Sequence, residues 1–502
     1  MGSRTRIILI ILILFAGAYL RAQNLFKPWV GVHNAWGGAM YGNIARNFVK
    51  YGYWTTQFGP VANSGYVSPD KFEYYYHYPP LFVWLVSLSF HAFGVHEWSA
   101  RVVPLFFSLA LMGLVFIFAR RLFSENIALL AFLFSAVMPI EGYYGAHVDI
   151  YGSVAVFFSL LALYGYTRWL ESCRASDFAL CAFGIVLGCM TAWYTYFLVP
   201  LIIGHYYLLY PNQGKSRDHR ILILAGIAVA VFGLFVLHRQ ILMAGGRSEV
   251  HGTLIEKLFT RTSLATPSGD GPGVARLVFK HARDLAHMYS LPLMLLIAMW
   301  LFFFIKDALR KRLQTRDWLV FMLLSYGFLH NLAFPSLLIG HDFLAVCYAP
   351  GIAVAASVAF VRFGRQVENS WRMKTRNVAL ATFLAITVVT SLYMTQRLYA
   401  GDSDYSLKLK RWGEIIRKNS QEGDVVLVCN RSDRIFQYYV EREMEFDMDT
   451  QQKLSTRKEQ GNGTLFTCPV RELDKRKEVI ADLDGKYSRR DEDGLVIYLL
   501  HP

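Results

Sequence analysis

Long apolar runs separated by short polar stretches fill most of this chain. Runs of roughly 16–22 apolar residues, the length that crosses a hydrocarbon layer as a helix, lie at 7–22, 79–95, 102–119, 127–146, 151–169, 178–193, 196–210, 221–241, 288–305, 318–335, 345–361 and 377–396. No alternating strand pattern competes, so the reading is a polytopic α-helical membrane protein. After residue 396 the pattern changes. Lys408–Arg417 places Leu409, Trp412, Ile415 and Ile416 on one helical side, and Asp424–Cys429 reads as a buried strand after a turn at Gly423. Ile435–Val440 suggests another helix and Gly494–Leu500 a last strand. The expected organisation is a membrane domain over 1–396, with a long first loop at 23–78, followed by a small soluble α/β domain over 397–502.

Charge orients the runs. Lys306, Arg310, Lys311, Arg312 and Arg316 share one loop, and Arg362, Arg365, Arg372, Lys374 and Arg376 another. Lys215, Arg217 and Arg220 mark a third, Arg168 and Arg174 a fourth, and Arg4 and Arg6 precede the first run. Cytoplasmic loops collect lysine and arginine, so all of these, with the N-terminus, are expected in the cytoplasm. Loop 23–78, the turn at Asp149, segment 242–287, the turn Gly340–Phe343 and the tail then face outward. Parity requires that one run not span. Pro79 and Pro80 at its start, with His91 and Gly94 near its end, single out 79–95, which leaves about eleven spans. Arg21 and the lack of a small-residue cleavage site make 7–22 a retained helix.

Composition agrees: 54% of residues are hydrophobic and 18% charged, below the soluble average of about 25%. The net charge of +14 is a loop excess rather than one basic surface, which argues against a nucleic-acid partner. Cys173, Cys181, Cys189 and Cys347 lie in or beside apolar runs as small core residues. Cys429 and Cys468 lie in the tail and pair there if that domain faces an oxidising compartment. No Cys/His spacing for structural zinc, no phosphate-binding glycine loop, no HExxH and no GxSxG occurs.

The outward segments carry the unusual residues. Ala35–Lys50 reads as an amphipathic helix lying on the membrane surface, with Ala39, Ile44, Ala45 and Phe48 on its apolar side. Glu73-Tyr74-Tyr75-Tyr76-His77-Tyr78-Pro79-Pro80 concentrates hydroxyls and an imidazole where the chain re-enters the apolar phase. Asp149 directly precedes an apolar run. A carboxylate at that depth is costly unless paired or solvated, so it is either a helix cap or a functional group. His341 and Asp342 form another short turn. Segment 242–287, rich in glycine and proline, reads as a mobile loop whose Arg247, Lys257 and Arg261 suit a phosphate.

Four stretches carry a resemblance to the GT-C superfamily of membrane glycosyltransferases, in particular glycosyltransferase family 39. They are Tyr41–Asn47 running into Lys50–Trp54; His77-Tyr78-Pro79-Pro80-Leu81 with Trp84, Phe93-Gly94, Glu97 and Arg101; Pro139–Asp149; and Asp342-Phe343-Leu344 with Tyr348–Gly351. The resemblance implies transfer of a hexose or pentose, with inversion, from a polyprenyl-phosphate donor to a glycan, lipid or protein acceptor at the outer face of a bacterial inner membrane. Such chemistry needs a carboxylate base and cationic help for the departing phosphate. Asp149, His33 and Glu73 are the candidate catalytic residues. Arg46, Tyr76, His77, Arg261, His341 and Asp342 are the candidate donor contacts. The sequence departs from the family at Gly37-Gly38, where an acidic residue is expected; His33, Asp70, Glu73 or Asp149 is left to supply the base. No motif demands a cofactor, and a divalent metal is left open because some superfamily members use one. Two other readings stand: a transporter or flippase for a lipid-linked or polar solute, and a non-catalytic membrane assembly factor.

Overall fold

The computed structural model describes residues 2–29, 31–210, 218–250, 253–262, 274–369, 372–402, 405–430, 433–459 and 464–500. The helices begin with α1 (Ser3–Ala22), α2 (Val32–Tyr51), α3 (Leu81–Phe93), α4 (Glu97–Leu122), α5 (Glu125–Val137), α6 (Pro139–Tyr144) and α7 (Ser153–Ser172). Next come α8 (Ala175–Cys189), α9 (Tyr194–Gly204), α10 (Ile223–Ala244), α11 (Leu254–Thr262), α12 (Val274–Tyr289), α13 (Leu291–Leu309) and α14 (Thr315–Ala333). They are followed by α15 (Leu337–Gly340), α16 (Ala349–Gln366), α17 (Met373–Ala400), α18 (Tyr405–Lys418), α19 (Arg434–Val440), α20 (Gln451–Glu459) and α21 (Lys477–Asp484).

Among the described residues seven helices are long and apolar enough to cross a membrane: α1, α4, α7, α10, α13, α16 and α17. Shorter apolar helices are α3, α5, α8 and α9. One end of the bundle gathers basic residues with their partners. Arg6 pairs with Glu125, Arg121 with Glu171, Arg168 with Asp177 and Arg362 with Asp307, while Arg316 lies over the Phe123 ring. The expected arginine-rich loops thus share one end, although Lys215 and Arg217 lie outside the described residues. At the other end Arg101 at the start of α4 donates to the carbonyls of Leu25, Lys27 and Pro28, just beyond α1. The Leu81 N–H at the start of α3 bonds Met190 beyond α8, and Ser89 near its finish bonds Ser99. Helix α3 therefore begins and finishes at the same end.

A five-stranded sheet follows α18: β3 (Val425–Val428), β4 (Glu443–Glu445), β5 (Leu465–Pro469), β6 (Ser488–Glu492) and β7 (Leu495–Leu499), in the order β4-β3-β5-β7-β6. Strand β3 runs parallel to β4 and β5, and β7 antiparallel to β5 and β6. Cys429 and Cys468 form a disulfide. The expected helices at 408–417 and 435–440 and strands at 424–429 and 494–500 all appear, within a few residues.

Two expectations change. Helix α2 does not lie on the surface: Ala35, Ala39, Ile44, Ala45 and Phe48 are buried, packed against α3 on one side and α19 on the other. Its alternating polar residues point at neighbouring backbone instead of water. The Asn43 amide donates to the carbonyls of Ala62 and Asn63, and Asn47 to Val61. Segment 242–287 is not a plain loop. Ser248–Glu249 (β2) pairs in parallel with Glu73–Tyr74 (β1), and α11 and α12 occupy much of the remainder. Its glycine- and proline-rich part, 263–273, lies outside the described residues.

Candidate active site

The turn between α6 and α7 holds Asp149. Pro139 at the first position of α6 fits a helix start, where its missing N–H costs nothing. The α6 helix ends after two turns, and residues 145–152 then cross the end of the bundle. The Asp149 side chain is 5% exposed, and its Oδ1 accepts the Tyr151 N–H at 2.8 Å. Burial pushes its pKa up to about 7, with the single backbone donor opposing. The charge acts on the phenols of Tyr41, Tyr75, Tyr78 and Tyr151 packed around it.

Helix α2 closes over this turn at Gly37, while Gly38 packs on Trp29. A Cβ at Gly37 would sit 3.2 Å from His147 Nε2 and 3.4 Å from Asp149 Oδ2, and one at Gly38 would sit 2.2 Å from the Trp29 ring. The space that the expected acidic residue would enter therefore adjoins His147 and Asp149, which come from a different part of the chain.

On one side of the turn is a cavity of about 180 Å³ with a mainly apolar lining. His77, Tyr78, Tyr151 and Arg261 supply its polar lining; Trp193, Phe232 and Phe334 its apolar walls. His77 Nε2 donates to the Val250 carbonyl at 2.8 Å, so the β1–β2 pairing sets the imidazole. Arg261 is fixed from α11, whose end is tied to Ser336 by a bond to the Arg261 carbonyl. On the other side is a cavity of about 410 Å³ lined by Tyr143, Tyr144, His287, Asp342, Arg397 and Asp402. Tyr144 donates to Asp342 at 2.7 Å and Tyr143 to Asp402 at 2.6 Å. Tyr144 also packs 5.2 Å from the His147 ring. Residues 144–151 thus form a partition, with Tyr144 lining one cavity, Tyr151 the other, and Asp149 between these two in the chain.

The candidate residues divide. His77 and Arg261 line the first cavity and Asp342 the second, while Asp149, buried beside Tyr151, lines neither. His341 is half-buried beside Phe343, with ring centroids 5.2 Å apart. Arg46, expected near the donor phosphate, is taken up elsewhere: its guanidinium lies 4.1 Å over the Tyr438 ring, donates to the Tyr438 carbonyl and pairs with Glu441, fastening the C-terminal domain to α2. Tyr76, also expected at the donor, stacks on Phe235 at 4.8 Å and bonds His238, inside a separate cluster with Phe72 and Leu242. Glu73, a candidate base, is exposed on β1 and lines neither cavity; Asp70 is likewise exposed. His33 lies in the first turn of α2, and its side chain is outside the described residues. The sequence marks Tyr78 within the 73–80 cluster but not as a donor contact; not named as candidates are His147 and Tyr151, although each adjoins Asp149 closely in sequence, and Asp402 and Arg397, which no local pattern marks. Among the described residues no group of three His, Cys, Asp or Glu side chains is placed to hold a metal ion.

Residues 77–238 match the family model for dolichyl-phosphate-mannose-protein mannosyltransferase. An uncharacterized protein of Aquifex aeolicus (strain VF5) is 29% identical over 175 residues, which span 34% of this chain and 32% of that protein, about a third of each. Among solved structures, ArnT of Cupriavidus metallidurans bound to undecaprenyl phosphate matches with a TM-score of 0.63 at 13% identity, covering 99% of this chain and 98% of that one. The oligosaccharyltransferase AglB of Archaeoglobus fulgidus, in complex with an inhibitory peptide and a dolichol-phosphate, matches with a TM-score of 0.59 at 13% identity, covering 93% of this chain and 69% of that one.

Proposed function

We propose that this integral membrane protein, whose fold is that of the GT-C membrane glycosyltransferases, moves a sugar from a polyprenyl-phosphate carrier to an acceptor at the cavity end of its bundle. One observation carries the reading: a buried carboxylate near neutral pKa stands in the partition between a mainly apolar cavity and a more polar one. A lipid phosphate needs apolar walls for its first isoprene units and a cation beside its head group, and the smaller cavity offers Trp193, Phe232 and Phe334 with Arg261. The larger cavity is polar enough for the acceptor.

Asp149 takes the proton from the acceptor hydroxyl or amine as that atom attacks the anomeric carbon. The bond from the sugar to the phosphate breaks on the opposite face, and the configuration inverts. Arg261 and the hydroxyls of Tyr78 and Tyr151 meet the charge that develops on the leaving phosphate. His77 holds the rim through Val250. No step is routed through a metal. The domain division at 396, the cytoplasmic N-terminus and the outward tail in a bacterial inner membrane belong to the same reading. The arginine-rich end and the Cys429–Cys468 disulfide support it, since such bonds persist in oxidising compartments.

The test is transfer from a radiolabelled polyprenyl-phosphate sugar to acceptors in a membrane extract, by purified protein in nanodiscs. Transfer that falls with Asp149→Asn supports the reading; undiminished transfer contradicts it. Gly37-Gly38, in place of an acidic residue, favours a second reading, a non-catalytic assembly factor. That reading predicts donor binding or partner capture without turnover in the same assay.

A further inference from the structure

The C-terminal domain contains a larger cavity than either one at the partition, about 710 Å³, and the transfer chemistry does not use it. Its position follows from the strand order. The chain leaves β3 through α19 to β4 on one side, then returns through α20 to β5 on the other side of β3. The connections therefore part company between β3 and β5. In open α/β sheets the crevice outside the carboxyl ends of the strands at such a point is where ligands bind. The cavity lies there. Asn430 and Asp433 follow β3, Asp447 and Asp449 follow β4, and Arg471 follows β5; all five line it. The Cys429–Cys468 disulfide joins the ends of β3 and β5 next to it, with both cysteines in the core cluster of Leu427 and Phe466.

The lining narrows the ligand. The stretches of sequence after β3 (429–433) and β5 (470–471) contain no glycine. The glycines from which a close backbone cradle for a nucleotide phosphate is built are therefore absent from the sequence there. Acceptors and donors share the lining instead. Asp433, Asp447 and Asn430 line it together with Arg471 and Arg476, the Asp433 Oδ1 also accepting the Ile435 and Phe436 N–H groups at the start of α19, and the aromatic side chains of Tyr405 and Trp412 complete the wall. Lys453 is engaged by Asp449 at 2.7 Å, which removes one cation from the count. Arg476 Nε is buried without a hydrogen-bond partner among the described residues. A ligand whose every polar group both donates and accepts, and whose carbon framework presents a flat C–H face to an aromatic ring, matches this set. That describes a saccharide.

We infer that the cleft at the carboxyl ends of β3, β4 and β5 is a glycan-binding site, separate from the membrane-level partition, which holds a polyhydroxylated saccharide between the Asp433/Asp447 carboxylates and the Arg471/Arg476 guanidiniums. Binding is measured without any donor, so its outcome is independent of whether the chain transfers sugar. The experiment displays the full chain in fluorescent nanodiscs to a broad glycan array, then repeats the measurement with Arg476→Ala, Asp447→Asn and the conservative Arg471→Lys, each checked for an intact disulfide by mass. The site predicts a discrete set of bound glycans, a loss of at least tenfold with Arg476→Ala and Asp447→Asn, and a smaller loss with Arg471→Lys. No bound glycan, binding that survives both substitutions unchanged, or binding abolished by inorganic phosphate at the same concentration as the glycan would overturn it.

Discussion

At the arginine-rich end of the bundle Arg362 meets Asp307 across a partly exposed surface, whereas at the cavity end Arg21 meets Glu141 with almost no exposure of either side chain. Both are arginine–carboxylate pairs, and the settings differ. Arg21 has no water to return to. It donates to Ser108 at 2.7 Å, to the Ser135 carbonyl at 2.8 Å and to Glu141 at 3.3 Å, drawing together α1, α4, α5 and α6. Ser108 donates on to Glu141 at 2.8 Å. Charges at one end are partly exposed and contribute little each. Charges at the other are held by several groups at once, and there the helix that carries the 145–152 turn is anchored.

The largest effect that separates the two ends is on transfer. Asp149→Asn keeps the shape of the partition and removes the base, and the rate of transfer should fall about 10²–10⁴-fold with donor affinity little changed. Next comes stability. Arg21→Met strands Glu141 in a buried site and should cost about 3–5 kcal/mol, read as a lower thermal midpoint in detergent, with part recovered in the double variant Arg21→Met/Glu141→Gln. Arg261→Ala should weaken the donor rather than slow the chemistry, raising its KM roughly tenfold, since a charged hydrogen bond contributes about 1.5–3 kcal/mol. The smallest effect belongs to the arginine-rich end: Arg362→Ala should change stability by less than about 1 kcal/mol. Equal costs for Arg21→Met and Arg362→Ala would erase the contrast.

Much of this was legible in the sequence where one periodic pattern decides. The apolar runs, the arginine-rich loops and the four elements of the C-terminal domain follow from length, charge and periodicity. Asp149 stood out because an ionised group beside an apolar run needs an explanation, and the structure gives it a cavity on either side. Patterns that two settings share were misleading. An amphipathic helix such as α2 reads the same on a membrane surface as between two layers, and only the fold shows Asn43, Arg46 and Asn47 serving loop 61–63 and the C-terminal domain. Tyr76 and His77 are neighbours in sequence, yet β1 sends them to opposite sides, one to Phe235 and the other to the cavity. Asp402 could not be found from its surroundings, because Asn24 and Tyr143, its partners, lie 378 and 259 residues away.

The Asp149 carboxyl also sets how the molecule responds to pH. Its folded pKa of about 7 lies above the ordinary 3.8. The native state then holds a proton that the unfolded chain has released, so stability falls as pH rises from about 4 to about 7 and is flat above. Catalysis runs the other way, since only the ionised form accepts a proton. The most direct measurement is therefore kcat/KM for the lipid-phosphate donor across pH 5–9, for the native chain and for Asp149→Asn. A native profile that climbs about tenfold per unit to a bend near 7, with both rate and bend lost in the variant, is what a base at Asp149 requires; a variant that keeps the native rate and the same bend would contradict it.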